Sequence, residues 1–194
     1  MSARRIAVFV SGTGRHLENF AELTRSGELD CEIGLVVADK AGIGALERAE
    51  RFGLEVCVLD PERELDAAAF GHVAFEAVEA AGCRTVVLAG FLRFLDMPAR
   101  WTGHVLNIHP SLLPAFGGKG FYGGRVHAAV LERGCKLSGC TVHYVDDEYD
   151  HGPILLQKAV PVRDDDDKDS LAARVFDAEL VAYPEALRQH LAQN

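Results

Sequence analysis

Short aliphatic and β-branched runs alternate with longer amphipathic stretches through the first half of the chain. Ile6–Val10, Ile33–Ala38, Glu55–Leu59 and Thr85–Ala89 are brief, apolar and bounded by turn residues, the pattern of buried strands. Between them the spacing predicts helices over His16–Arg25, Ile43–Phe52 and Leu65–Ala81. In the third, Ala69, Phe70, Val73, Ala74, Ala77 and Val78 recur at helical spacing. Gly27, Gly53 and Gly82 stand where helix C-termini are expected to stop. Strand–helix–strand repetition implies right-handed crossovers and a parallel sheet covered by helices on both faces. The expected class is α/β, a Rossmann-like, mostly parallel twisted sheet.

The second half changes pattern. Val105–Ile108 is expected as a strand, then a loop rich in Gly and Pro over Pro110–Arg125, then a short helix over Val126–Arg133. Leu137–Val145 and Ile154–Val162 read as an antiparallel strand pair around an acidic loop, Asp146–Gly152, long enough to be functional. Asp164–Lys168 reads as a solvated charge run, and Asp169 or Ser170 is expected to cap a last helix reaching about Gln193. No repeat or low-complexity linker interrupts the chain. A single domain over 1–194 is expected, with halves at 1–105 and 106–194.

Length and composition agree with one well-packed unit: 194 residues, 48% hydrophobic and 25% charged. No apolar run approaches the ~20 residues of a membrane span. The N-terminal Met1–Arg5 is basic, but the apolar stretch after it is too short for a signal peptide, so a cytoplasmic location is expected. The net charge of −9 argues against non-specific nucleic-acid binding, which needs clustered Lys and Arg, but leaves room for a locally positive anion site. Five scattered cysteines without a Cys-x-x-Cys pair read as buried, reduced thiols.

Three constellations carry chemistry. Val10-Ser-Gly-Thr-Gly-Arg-His-Leu17 joins the first strand to the first helix, where glycines let backbone N–H groups approach an anion and the helix terminus favours it. Gly12, Thr13, Gly14, Arg15 and His16 are its candidate residues. Leu106-Asn-Ile-His-Pro110 ends a strand, and alternation puts Asn107 and His109 on one face, an amide donor beside an imidazole. That pairing suits a developing oxyanion and proton transfer near neutral pH. Asp146-Asp-Glu-Tyr-Asp-His-Gly-Pro153 lacks calcium-loop spacing, and a carboxylate from it near His109 would favour the imidazolium. Ser111 lacks a Gly-x-Ser-x-Gly elbow, Cys135 and Cys140 have no activating setting, and His143 reads as a structural histidine in an apolar strand.

These segments resemble the folate-dependent formyltransferases. The resemblance rests on Val10-Ser-Gly-Thr-Gly14, Leu88-Ala-Gly-Phe-Leu-Arg-Phe-Leu95, Leu106-Asn-Ile-His-Pro-Ser-Leu-Leu-Pro114, Gly139-Cys-Thr-Val-His-Tyr-Val145 and Asp150-His-Gly-Pro153. It implies transfer of the formyl group of 10-formyltetrahydrofolate, as co-substrate, to the amine of glycinamide ribonucleotide in purine synthesis. It also implies His109 as general acid, Asn107 as oxyanion donor, Asp150 as the carboxylate that holds His109 protonated, and Thr141 as a hydroxyl orienting a water. The loop Gly12–His16 would take the acceptor phosphate and Glu179 the ribose hydroxyls. Leu92, Arg93, Phe94, Leu95, Asn107, Val145 and Asp146 would meet the folate. No metal or nucleic acid is implied, and the assembly is expected to be a monomer or homodimer.

Four features depart from that family's common pattern. Arg15-His16 replace Ser-Asn, Leu180 follows Glu179 where His is frequent, His151 replaces Gly, and the Arg that often precedes the third helix has no clear match. Three competing readings follow. One is a sister transferase with an amino-sugar or other amine acceptor. Another is a formyltetrahydrofolate hydrolase, whose usual extra N-terminal domain is not expected here. The last is a phosphate-binding module without catalysis, disfavoured by Asn107, His109 and Asp150 standing together.

Overall fold

The computed structural model describes residues 4–59 and 66–193. Its backbone contacts divide into two compact units with the boundary between Leu106 and Asn107. In the first, β1 (Arg5–Val10), β2 (Glu32–Ala38), β3 (Val56–Val58) and β4 (Thr85–Leu88) form a parallel sheet in the order β3-β2-β1-β4. Helices α1 (Arg15–Ser26), α2 (Gly44–Arg51) and α3 (Ala67–Ala80) connect these strands. The fold class and order of elements match the expectation, with ends within one or two residues of those read from the pattern. The expected start of the third helix, Leu65, lies outside the described residues. Gly27, Gly53 and Gly82 all have φ between 65° and 81°, the left-handed geometry that ends a helix without a Cβ clash.

β1 is buried along nearly its whole length because both its neighbours are strands. β3 corrects the sequence reading. It sits at the sheet edge, and Val56 and Val58 are exposed, so its apolar run marks a short edge strand instead of a buried one. The core of this unit is an aromatic chain. Phe9 lies 5.5 Å from Phe91, Phe91 5.8 Å from Phe70, and Phe75 5.0 Å from Trp101, centroid to centroid. Trp101 sits on a short 3-10 turn, Ala99–Trp101, that the hydrophobic pattern did not announce.

β5 (Val105–His109) runs across the unit boundary. The second unit continues with α4 (Gly124–Glu132), β6 (Leu137–Tyr144), β7 (Ile154–Pro161) and α5 (Lys168–Gln193). β6 and β7 pair antiparallel, as expected, and α5 buries Leu171, Val175, Ala182, Tyr183 and Leu187 completely. The cap of α5 is Asp167, whose carboxylate accepts from the N–H groups of Asp169 and Ser170, and not either of those residues. Nor is the acidic run before it wholly solvated. Asp166 folds back onto Arg174 at 2.6 and 2.8 Å, which holds its carboxyl well below the usual range.

Of the five cysteines, Cys83 and Cys140 are buried, while Cys31, Cys57 and Cys135 are half-buried, a partial correction. Burial raises the thiols of Cys31 and Cys83 to about 11 and of Cys140 to about 12. They are therefore poor nucleophiles near neutral pH. Among the described residues no helix is long and apolar enough to cross a membrane.

Candidate active site

Asn107 and His109 leave the end of β5 on one face, as strand alternation requires. The loop after β6 returns Asp150 to them, its backbone held at a φ of 55° that non-glycine residues seldom adopt. The Asp150 carboxylate is the hub. Its Oδ2 lies 3.3 Å from His109 Nδ1 and accepts from the Gly118 N–H at 2.9 Å. Its Oδ1 lies 3.5 Å from Asn107 Nδ2 and 3.8 Å from His143 Nε2. Burial pushes the Asp150 carboxyl up, but the His143 contact, the His109 charge and the Gly118 N–H together bring it below its ordinary value.

The other ring nitrogen of His109, Nε2, donates to the Phe116 carbonyl at 2.8 Å. Phe116 also has a positive φ of 55°. Both nitrogens of this buried ring therefore face oxygen acceptors. An imidazole carrying two protons serves both contacts at once.

His143 is the residue that the sequence reading set aside and the structure puts into the cluster. Its Nδ1 lies 2.8 Å from the Tyr144 carbonyl, which only accepts, so the Nδ1 position carries the proton. In the neutral ring Nε2 accepts from Asn107 Nδ2 at 3.1 Å; with a proton on Nε2 the same nitrogen serves Asp150, the contact that lowers the Asp150 carboxyl. The Asn107 contact turns the carboxamide so that its N–H side faces the cluster. The one available signal was period-two alternation, since His143 is two residues from Thr141 on the same strand. The β6–β7 pairing skips Leu155 beside His143, a bulge of the kind that re-aims side chains near active sites.

Thr141 has a different task from the expected one. Its buried hydroxyl donates to the Ser111 carbonyl at 2.7 Å and accepts from Leu113 N–H at 3.0 Å and Gln157 Nε2 at 2.9 Å. One proton and two lone pairs are thereby used, which leaves nothing for a water. Thr141 pins the segment that follows His109.

Glu179 is buried on α5, and its charge acts on His127, a buried histidine of α4 absent from the sequence reading. Burial lowers the His127 pKa, Glu179 pulls it up, and His109 lowers it further. The net shift is downward, so the unfolded chain takes up this proton first as pH falls. Stability is then lost between the unfolded value near 6.5 and the lower folded one. A His127→Gln variant is expected to show a flatter fall in melting temperature between pH 7.5 and 5.5 than the parent. An equal slope in both would remove His127 from that account.

Within the acidic loop, His151 Nδ1 lies 2.7 Å from Asp146 Oδ2, and this contact raises the His151 pKa. Asp146 also accepts from Glu148 N–H, so its carboxylate braces the turn that carries Asp150. Val145 and Asp146 are half-buried.

The glycine loop lies in the first unit. Gly14 caps α1 at a φ of 76°, with no side-chain cap, and a Cβ there would meet Ala45 Cα at 2.6 Å. Only glycine lets the loop lie this close to α2. Arg48 Nε donates to the Thr13 carbonyl at 2.8 Å, and its guanidinium, with that of Arg51, holds Glu18. Gly12, Thr13 and Arg15 are exposed, whereas His16 is buried. In the 92–95 segment, Leu92 is exposed, Arg93 and Phe94 are half-buried, and Leu95 is buried. Arg93 lies over the Phe70 ring at 4.5 Å.

The described residues thus place a glycine loop before α1 and an Asn–His–Asp cluster at the end of β5. The chain belongs to the formyl transferase family, whose model matches residues 4–187. Its relatives include glycinamide ribonucleotide transformylases. The structure of one from Symbiobacterium toebii is 38% identical, with a TM-score of 0.89, over 96% of this chain and 86% of that one. A phosphoribosylglycinamide formyltransferase from Bacillus halodurans has the same TM-score at 33% identity, over 96% of this chain and 95% of that one. The trifunctional purine biosynthetic protein adenosine-3 of Gallus gallus is 41% identical over 186 residues, 95% of this chain but 18% of the relative's length. The chloroplastic phosphoribosylglycinamide formyltransferase of Vigna unguiculata is 36% identical, with 60% of its length covered.

Proposed function

We propose that this chain transfers the formyl group of 10-formyltetrahydrofolate to the amine of glycinamide ribonucleotide, as one cytoplasmic domain acting as a monomer or homodimer. The observation that carries the reading is the Asp150 carboxylate gathering His109, Asn107 and His143 at one strand end. The similarity to transformylases supports the choice of acceptor.

The amine attacks the formyl carbon, a C–N bond forms and the carbonyl oxygen becomes an oxyanion. His109 Nε2–H, released from the Phe116 carbonyl, and an Asn107 N–H donate to that oxygen. Of the two Asn107 contacts, the 3.5 Å one to Asp150 is the looser and the one exchanged for the oxyanion. Collapse breaks the bond to N10 of the folate. The proton lost by the amine passes by way of water and Asp150 to that nitrogen, giving tetrahydrofolate and the formamide. The formyl group is already activated, so no metal enters the scheme.

In the first unit, the Gly12–His16 loop takes the acceptor phosphate, with Arg15 adding charge, and Leu92–Leu95 contribute to folate binding. In the second, Val145 and Asp146 serve the folate and Glu179 the ribose hydroxyls. Arg15→Ala is expected to raise KM for the ribonucleotide several-fold with kcat little changed. An unmoved KM would take Arg15 out of the site. The departures at Arg15, His16 and Leu180 favour testing other acceptors. A transfer assay offering the ribonucleotide, an amino sugar and water alone, read by folate absorbance, is expected to respond to the ribonucleotide. Turnover with another amine or with water would replace this reading with the sister-transferase or hydrolase one.

A further inference from the structure

Two buried polar residues of the first unit have no part in the scheme above. Ser11 and Asp39 immediately follow the neighbouring parallel strands β1 and β2. They are 3% and 8% exposed. Ser11 Oγ donates to Asp39 Oδ2 at 2.8 Å and accepts from the Leu92 N–H at 3.0 Å. Leu92 follows β4, the strand on the other side of β1. One hydroxyl thus laces together three chain segments at the carboxyl ends of three adjacent strands, the edge where open α/β sheets bind ligands.

The direction of the lacing is set by Asp39. A carboxylate accepts and does not donate, so the Ser11 proton points toward Asp39 and a lone pair is left for Leu92. Bonds to a carboxylate are also the stronger kind. The other oxygen, Asp39 Oδ1, is buried and has no hydrogen-bond partner among the described residues. Burying a half-satisfied carboxyl is costly, and such groups call for an explanation. Here it leaves Ser11 the only side-chain hydroxyl bonded to Asp39 among the described residues. At the far end, Leu92 has 58% of its surface exposed, so its side chain does little to anchor the backbone. Its N–H bond to Ser11 does that instead.

We propose that Ser11 and Asp39 are positioning residues that couple the anion-binding glycine loop to the 92–95 segment. This inference rests on the function proposed above, which gives those segments the acceptor phosphate and the folate. Ser11 adjoins the loop and is held between Asp39 and the Leu92 amide, so the adjustment of the loop to a phosphate is passed to the segment that meets the second ligand. Linkage makes the effect reciprocal.

Binding of glycinamide ribonucleotide is measured by calorimetry, alone and with saturating tetrahydrofolate, which has no formyl group to transfer. In the parent, tetrahydrofolate is expected to tighten ribonucleotide binding by about 5-fold, the low end of common coupling factors. Ser11→Ala and Asp39→Ala are expected to bring that ratio close to one, whereas Asp39→Asn, which keeps a carbonyl acceptor, retains most of it. A merely structural role would weaken each ligand separately and leave the ratio alone. A parental ratio of one, or a Ser11→Ala ratio equal to the parent's, overturns the coupling and leaves the functional reading standing. A parent that binds neither ligand overturns both.

Discussion

His109→Ala is expected to lower turnover by about 10²–10⁴, the range of a lost general acid, and Asp150→Asn to fall in the same range. The two variants fail for different reasons. His109→Ala removes the ring donor. Asp150→Asn keeps the shape but replaces one carboxylate oxygen with an NH₂ group. Whichever way the amide turns, a donor then faces donors, because one oxygen takes the Gly118 N–H and the other faces Asn107. The anion opposite His109 is lost as well. Single-turnover rates at saturating substrates, with circular dichroism to show that the variants fold, make the measurement. A rate within a few-fold of the parent for either would withdraw the assigned role.

The same hub predicts behaviour in acid. The Asp150 carboxyl is lowered in the folded chain, so its contribution to stability is complete above the ordinary carboxylate value. It is lost as pH falls through the lower folded value. Asp150→Asn is expected to lack that part of the acid transition, read as a shallower fall in melting temperature below about pH 4.

Gly14→Ala carries the second large effect. A left-handed backbone costs a non-glycine residue about 1–2 kcal/mol. The new methyl would also meet Ala45 Cα at 2.6 Å and Cβ at 2.7 Å. Overpacking of this kind costs a further ~1–3 kcal/mol. The combined loss is expected to lower the melting temperature by about 10 °C for a chain of this size. Because relief comes only by moving the loop or α2, ribonucleotide affinity is expected to fall together with stability. Differential scanning calorimetry and ribonucleotide titration check both. A variant that loses neither would show that the loop tolerates a side chain at its tightest point.

Much of the architecture was legible because it is written in local periodicity. Strands and helices of the first unit announced themselves by alternating apolar runs, and three glycines marked helix ends by the geometry only they tolerate. Asn107 and His109 could be paired from sequence because two residues apart on a strand means the same face. Position in the sheet was harder to read. Val56-Cys57-Val58 has the composition of a core strand, yet only the strand order reveals that no strand among the described residues pairs with its outer side.

The site was legible in its chemistry and not in its wiring. That Asp150 lies beside His109 was implied by the resemblance, but which ring nitrogen it meets depends on how the loop after β6 closes. His143 looked like core because its neighbours in sequence are apolar. Its partners, Asn107 and Asp150, are 36 and 7 residues away in the chain and meet it only in space. Thr141 was identified as a hydroxyl near the chemistry, and packing against Ser111, Leu113 and Gln157 consumed every bond it can make.

From its amino acids alone, this chain determined its α/β class, the glycine turn before α1, and the amide and imidazole sharing a strand face. Each depends on short-range stereochemistry: helical and strand periods, and the backbone freedom of glycine. Tertiary structure alone decided which ring nitrogen of His109 meets Asp150, that His143 orients Asn107, and that Ser11 joins Asp39 to Leu92. Those are hydrogen bonds between segments far apart in the chain, and their partners are chosen by where the folded backbone brings them within about 3 Å.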